Sequence, residues 1–161
     1  MTDPRSHTPI SPGRLAGIDY GSRRIGIAIS DPGRKFSSPY ENYQRRAKEL
    51  DGERFRRLVA EEAITLFVVG LPLHLSGDES QKSREVRVFG EWLQEITGVE
   101  VVYFDERFTS VEAEHLLLSA DLTNKRRKER RDMLAAQILL AAYLDTPSPA
   151  PHASLDDRPN T

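Results

Sequence analysis

Three acidic positions in this 161-residue chain stand where folding does not need an acid. Asp19 lies in the glycine-containing apolar segment RLAGIDYGSRRIGIAIS, residues 14–30. Asp105 and Glu106 follow the apolar run VEVVYF, and Asp132 precedes an apolar stretch near the end of the chain. Carboxylates from separate elements can together hold Mg²⁺ or Mn²⁺, which prefer oxygen ligands. Two such ions about 4 Å apart can clamp the attacking and leaving oxygens in phosphodiester hydrolysis.

Asp19 is predicted to lie on the first strand of a β-hairpin whose turn is formed by GSR at 21–23. Residues two apart on a strand share a face, so Asp19 should point the same way as Leu15 and Gly17, toward a packed surface. An ionised carboxylate is costly to desolvate there unless a cation meets it, and a bound metal ion would resolve the conflict. For this segment alone, the favoured alternative is that Asp19 caps the hairpin turn by bonding backbone amides.

A basic run, KRRKERR at 125–131, leads directly into Asp132. Asp132 is predicted to open a helix that ends near Leu144, and at helical spacing it shares a stripe with Ala136 and Leu139. An acid at a helix start favours the helix dipole, which gives Asp132 a structural explanation. Cations there oppose the dipole, so the basic run is interpreted as a flexible loop that attracts an anion. A solvated arm is an equal alternative.

Two further segments follow predicted strands, where ligands of open α/β sheets bind. GLPLHLSG at 70–77 is a weak phosphate-binding motif, and its His74 could contact substrate or transfer a proton. An exposed loop histidine more often has no such role. The DER segment at 105–107 could equally be a polar loop before a helix that a capping box, Thr109 to Glu112, begins.

Composition bounds the remaining choices. With 161 residues and 38% hydrophobic content, the chain suits one domain, and its formal net charge of −2 makes it no general attractor of nucleic acid. The absence of cysteine excludes thiol nucleophiles and disulfides and fits a reducing compartment. The N-terminus does not resemble a signal peptide, and no apolar run is long enough to span a membrane. A cytoplasmic protein without a membrane partner is therefore expected.

The order of predicted elements indicates one α/β domain with a mixed β-sheet flanked by helices. Proline-rich ends at 1–13 and 146–161 predict disordered tails around a domain at 14–145. The predicted elements are the hairpin within 14–30, an edge strand at 37–43, a helix at 51–63, a buried strand at 65–69, a helix at 79–97 capped by Gly98, a strand at 99–104, a helix from Thr109 and a helix at 132–144.

Four segments resemble the YqgF/RuvX family, in the family's order and spacing: GIDYGSRRIGIAISDP, VVGLPLHLSG, VYFDERFTSVEAE and RRDMLAAQILLAAYLD. The resemblance covers about residues 15–145 and implies a ribonuclease H-like fold. Members are described as candidate Holliday junction resolvases, and processing of the 16S ribosomal RNA precursor is the role attributed to bacterial members. The resemblance thus implies a metal-dependent nuclease whose partner is RNA, DNA or both.

The resemblance also implies site residues. Catalytic acids map onto Asp19, onto Asp105 or Glu106, and onto Asp132, with Glu106 preferred over Asp105. Two ions, Mg²⁺ or Mn²⁺, are expected on Asp19, Glu106 and Asp132. Expected substrate-binding residues are Arg23, His74, Arg107, Lys125, Arg126, Arg127, Lys128, Arg130 and Arg131. His74 replaces the family's usual asparagine, and Arg131 stands at a commonly apolar position.

The expected function is a nuclease that acts on structured nucleic acid, in processing the 5′ end of pre-16S rRNA or in resolving Holliday junctions. One alternative is a non-catalytic nucleic-acid-binding factor in ribosome assembly. Another is a phosphotransferase of the actin-like kinase superfamily, because GIDYGS resembles its first phosphate loop, although that fold needs two such domains. RNA against DNA, endonuclease against exonuclease action, and a homodimer that addresses a symmetric junction stay open.

Overall fold

The computed structural model describes residues 13–74, 76–108 and 124–146. Five strands form one sheet in the order β3-β2-β1-β4-β5, in which β1, β2 and β3 pair antiparallel while β1, β4 and β5 pair parallel. The mixed sheet predicted from the order of elements is confirmed. The strands are β1 Arg14–Asp19, β2 Arg24–Ser30, β3 Ser37–Gln44, β4 Ile64–Leu71 and β5 Glu100–Asp105.

Helices cover both faces of the sheet. The helices α1 (Lys48–Glu62) and α2 (Gln81–Thr97) pack on one face, and α3 (Asn124–Asp145) packs on the other. A short 3₁₀ turn, Glu106–Phe108, follows β5. Because successive strand residues point to opposite faces, the two cores draw on alternate positions of the same strands. In the described part of the chain, no helix has the length and apolarity to cross a membrane.

Several predicted features of the elements are confirmed. The proline-containing strand β3 lies at the sheet edge, and β4 is buried between β1 and β5. Gly98 ends α2 in the left-handed conformation, with φ 69°, and its N–H bonds to the Gln94 carbonyl. The start of α2 is Gln81 rather than 79, because Ser80 caps the helix by accepting a hydrogen bond from the Ser83 N–H at 2.9 Å.

The last helix corrects the prediction for the basic run. It begins at Asn124, eight residues before Asp132, so residues 125–131 are helical and the expected flexible loop is wrong. Lysine, arginine and glutamate are good helix formers. Their propensity outweighs the small, salt-screened cost of cations near a helix start. Asp132 therefore lies inside α3, and stabilisation of a helix start does not explain its carboxylate.

The remaining predictions on structure fall largely beyond the described residues. The helix expected from Thr109 lies there, as do the proline-rich tails except for Gly13 and Thr146 at their inner ends.

Candidate active site at the carboxyl end of β1

Asp19 is the last residue of β1 and lies between two glycines of the neighbouring strands. It pairs with Gly26 of β2, and Gly70 of β4 is one position beyond the pair formed by Ile18 and Val69. Asp19 shares the α3 face of the sheet with Leu15, as period-two alternation predicted. The two glycines leave room on both sides of the Asp19 carboxylate for groups that arrive from elsewhere in the chain.

Asp132 lies close to the site because Gly26 lets α3 pack against the backbone of β2. A Cβ atom added to Gly26 would lie 2.0 Å from the Asp132 carbonyl oxygen and 2.9 Å from the Asp132 Cβ. A Cβ on Gly17 would likewise lie 2.8 Å from the Ala136 carbonyl oxygen. Helix α3 thus rests directly on the backbone of β1 and β2, and this close approach requires glycine. The contact holds Asp132 one strand away from Asp19.

Glu106 lies close to the site because Gly70 leaves room for its side chain over β4. A Cβ on Gly70 would lie 2.6 Å from Oε1 of Glu106, so the Glu106 side chain lies over the end of β4. The 3₁₀ turn after β5 directs it there. The Glu106 carboxylate hydrogen-bonds with the Asp19 carboxyl group. Of the two acids in the DER segment, Glu106 is the one in contact with Asp19.

Asp105 is engaged elsewhere. Its Oδ1 accepts hydrogen bonds from the Arg107 backbone N–H at 2.9 Å and from Arg107 Nε at 3.0 Å, and its Oδ2 accepts from Nε at 2.8 Å. These bonds hold the pKa of Asp105 below its usual value. The Arg107 guanidinium also lies near the 70–77 loop, since a Cβ on Gly77 would be 3.7 Å from its Nη1. Asp105 therefore binds Arg107 rather than Asp19, although its charge still acts on Glu106.

The environment of Asp19 disfavours its charged form. Burial, followed by the negative charges of Glu106 and Asp132, raises its pKa from 3.8 to about 8. Burial also raises the pKa of Glu106 and that of Asp132. In the bond between Asp19 and Glu106, the protonated Asp19 carboxyl donates to Glu106. Without a cation, the site therefore favours the protonated form of Asp19.

Two cations that sequence reasoning missed lie at the site. Nε of Arg24 is 3.7 Å from Oδ2 of Asp132. The charge of Lys82, in the first turn of α2, acts on Asp19, Glu106 and Asp132 alike. The α2 start is fixed over the end of β4 because the Ser80 hydroxyl donates to the Pro72 carbonyl at 2.9 Å. Lys82 carries no local sequence signal, whereas glycines within strands are a signal of close approach.

Some of the predicted substrate-binding residues lie beside the acids, and others lie in other parts of the fold. Arg23 is exposed in the turn after β1, and Arg130 and Arg131 are exposed beside Asp132. His74 is exposed in the loop after β4, where its backbone N–H donates to the Asp78 carbonyl at 3.0 Å. The residues 125–128 occupy the first turns of α3, farther along the helix from Asp132.

The three predicted metal ligands lie at the same end of the central strands but are not gathered around one point. Among the described residues, no three acidic or histidine side chains stand close enough together to hold a metal ion. Asp19 and Glu106 do fit a cation that prefers oxygen, since two partly buried carboxylates in contact offer a charge that one divalent ion neutralises. Asp132, with its ion pair to Arg24, would have to turn toward them.

This fold matches solved nucleic-acid resolvases. A structure described as T. thermophilus RuvC in complex with Holliday junction substrate aligns with a TM-score of 0.53 at 13% identity, covering 86% of this chain and 99% of that one. Fowlpox virus resolvase in complex with Holliday junction DNA aligns with a TM-score of 0.51 at 10% identity, over 81% and 96% of the two chains. The mixed sheet with helices on both faces is a ribonuclease H-like fold.

Sequence comparison gives the family. The model of RuvX, described as Holliday junction resolvase, matches residues 13–146. A Rhodopirellula baltica protein, whose name describes it as a candidate pre-16S rRNA nuclease, is 46% identical over 133 residues, 83% of this chain and 77% of that protein. A Syntrophomonas wolfei protein of the same name is 41% identical over 132 residues, 82% and 94% of the two chains. The chain belongs to the RuvX family.

Proposed function

We propose that the protein is a divalent-metal-dependent nuclease that hydrolyses phosphodiester bonds in structured nucleic acid. The observation that carries the proposal is the partly buried Asp19 carboxyl group in contact with Glu106, with Asp132 held one strand away. A folding-only account does not explain this arrangement, because burying carboxylates side by side costs free energy without a cation. Membership in the RuvX family supports the same reading.

The substrate we propose is the 5′ end of the 16S rRNA precursor, with the Holliday junction as the second candidate. The first choice follows the names of the relatives in R. baltica and S. wolfei. The second follows the family description and the junction-bound structural neighbours. A role in ribosomal RNA processing would require a cytoplasmic protein, and the cysteine-free sequence fits such a reducing compartment. A symmetric junction would call for two copies of the chain.

Asp19, Glu106 and Asp132 are the residues that would hold the metal. Mg²⁺ or Mn²⁺ bound there supplies Lewis-acid polarisation of the phosphate and activation of the attacking water. Asp19 would be the central ligand of the three, because Glu106 and Asp132 approach it from the β4 side and the β2 side. A divalent cation held there would favour the ionised form of Asp19, whose proton would pass to solvent.

The cations around the acids are placed to bind the substrate. Lys82 and Arg24 lie close to the acids, where positive charge can stabilise the added negative charge of the transition state. The exposed Arg23, Arg130 and Arg131 can contact phosphates on either side and so set the register of the strand. The protein contributes no nucleophile in this scheme, and its role is to position and to neutralise charge.

A non-catalytic nucleic-acid-binding assembly factor is the second candidate. It is favoured by the finding that no three ligands are gathered for a metal among the described residues. Binding to precursor rRNA that survives EDTA, without cleavage in Mg²⁺ or Mn²⁺, would support this candidate against the nuclease.

The proposal is tested by comparing the two neighbouring acids of the DER segment. Glu106→Gln should lower the rate of cleavage of labelled precursor rRNA by about 100-fold or more. Loss of a residue that only supports a metal ligand typically costs about 10–100-fold, and Glu106 is proposed as a ligand itself. Asp105→Asn should lower it by less than about tenfold, because Asp105 binds Arg107 rather than Asp19. The measurement is the initial rate over RNA and four-way-junction substrates with Mn²⁺ or Mg²⁺.

The pair is internally matched, since each change replaces one carboxylate by its amide at adjacent positions. Equal losses in the two variants, or a larger loss in Asp105→Asn, would contradict the assignment of Glu106.

A further inference from the structure

A buried carboxylate, Asp51 in the first turn of α1, organises the connection between β3 and α1. It is 1% exposed. It accepts hydrogen bonds from the Tyr43 hydroxyl at 2.6 Å and from the Arg46 N–H at 2.8 Å, and Nε of Arg45 is 3.5 Å away. Burial and the bond to Asp51 raise the pKa of Tyr43 to about 12, which keeps its hydroxyl a donor. The connection is therefore rigidly held.

The same connection is fixed to the strand end that carries Asp19. Nη1 of Arg45 donates to the hydroxyl of Tyr20, the residue after Asp19, at 3.1 Å. The Arg45 guanidinium lies 5.3 Å from the centre of the Tyr20 ring, and the Phe89 ring lies 4.8 Å from it. The backbone N–H of Arg45 also bonds to the Arg23 carbonyl at 2.9 Å. The position of Arg45 relative to Asp19 is thus set by several independent contacts.

A cleft of about 410 Å³ lies between this connection and α2. Its two carboxylates are Asp51, already engaged, and Glu85, whereas it has three cations. Arg46 and Lys48 are exposed, and aromatic rings give the cleft an apolar floor. The lining residues that matter are Arg45, Arg46, Lys48, Tyr20 and Trp92. The cleft thus combines exposed cations with aromatic rings, and basic grooves that contain aromatic side chains are typical of sites that bind single-stranded nucleic acid.

We propose that this cleft binds the substrate strand next to the cleavage point, with Arg46 and Lys48 contacting its phosphates. The inference rests on the proposed function and extends it to a binding site on the other face of the sheet. Asp19 and Tyr20 point to opposite faces, so a strand held at Asp19 passes the β1–β2 turn to enter the cleft. The ligand is a single-stranded extension of RNA or DNA beside the structured part.

The test measures binding in the Asp19→Asn background, in EDTA, so that no cleavage occurs. The probes are a fluorescein-labelled RNA hairpin with a single-stranded 5′ extension and the same hairpin without it. Arg46→Gln/Lys48→Gln is compared with Arg14→Gln/Lys35→Gln, which removes the same charge at the opposite end of the sheet. Both pairs are checked by thermal melting, and binding is measured over a series of salt concentrations.

Arg46→Gln/Lys48→Gln should weaken binding of the extended hairpin by about tenfold. It should also lower the slope of log K against log salt by about 0.7 for each phosphate that the variant no longer neutralises. The control pair and the hairpin without extension should show no comparable change. Equal slopes for the two variant pairs would overturn the proposal. Cleavage by the wild-type chain is assayed separately, so a missing activity would contradict the nuclease without deciding the binding site.

Discussion

Asp19→Asn is expected to abolish metal-dependent cleavage while it raises the melting temperature of the protein without metal. The loss of activity follows because Asp19 is the acid that both Glu106 and Asp132 approach. The gain in stability follows because burial and two neighbouring negative charges disfavour an ionised Asp19, and an amide removes that charge. Cleavage rate with Mn²⁺ and thermal melting in EDTA measure the two effects on the same preparation.

The stability gain should depend on pH with a definite sign. The pKa of Asp19 is raised from 3.8 to about 8 in the folded protein. Between these values the unfolded chain binds fewer protons than the folded one, so this group lowers the free energy of unfolding as pH rises. The difference in melting temperature between Asp19→Asn and wild type should therefore grow from about pH 4 to about pH 8.

Asp31→Asn is the matched control for this measurement. Backbone N–H bonds, first from Phe36, hold the pKa of Asp31 below its usual value. The contribution of Asp31 to the free energy of unfolding is thus present at neutral pH and is lost as pH falls through its folded-state pKa. The variant should keep its activity and lose stability at neutral pH. Full activity in Asp19→Asn, or the same pH dependence as wild type, would contradict the role of Asp19.

Gly26→Ala should have the largest effect on stability of any single methyl group added at the site. The new Cβ would lie 2.0 Å from the backbone oxygen of Asp132, so α3 must move away from β2. Over-packing of a core typically costs about 1–3 kcal/mol, and a clash with backbone belongs at the upper end, about 3 kcal/mol. For a chain of this length that lowers the melting temperature by about 6–12 °C. Activity should fall even where the variant is folded, since Asp132 moves with α3.

Gly52→Ala provides the control, because it makes the same chemical change in a place with room. Its Cβ would meet Cδ1 of Ile96 at 3.5 Å, an ordinary contact, and it lies within α1. Alanine should stabilise the helix by about 1 kcal/mol relative to glycine. Gly52→Ala should therefore melt slightly higher than wild type and remain fully active. Melting temperatures within error of one another for the two variants would refute the close approach of α3 at Gly26.

Much of the fold was predictable because its signals are local. Alternation with period two placed Asp19 on the α3 face, and the continuous apolar run TLFVV correctly marked β4 as buried. The order of strands and helices indicated a mixed sheet, and glycine at position 98 predicted the end of α2. Each of these depends on residues near one another in the chain, where propensity and periodicity act directly.

The features that the sequence did not predict depend on competing local preferences or on contacts between residues far apart in the chain. The start of α3 was misplaced because the dipole argument was given more weight than the helix propensity of lysine, arginine and glutamate. Lys82 and Arg24 were overlooked because their nearness to the acids is set by the packing of α2 and by strand pairing, not by sequence spacing. Gly26 and Gly70 did carry a signal, glycine inside a strand, but which group fills the space is decided by elements far along the chain.

We propose that Asp19, Glu106 and Asp132 together hold the metal ion needed for phosphodiester hydrolysis. Crystals of the full chain grown with Mn²⁺ and measured at the manganese absorption edge test it most directly. We expect anomalous density in contact with Asp19 and Glu106, with the Asp132 carboxylate turned from Arg24 toward it. Anomalous peaks confined to other parts of the molecule, from protein that cleaves RNA in the same Mn²⁺ buffer, would contradict it.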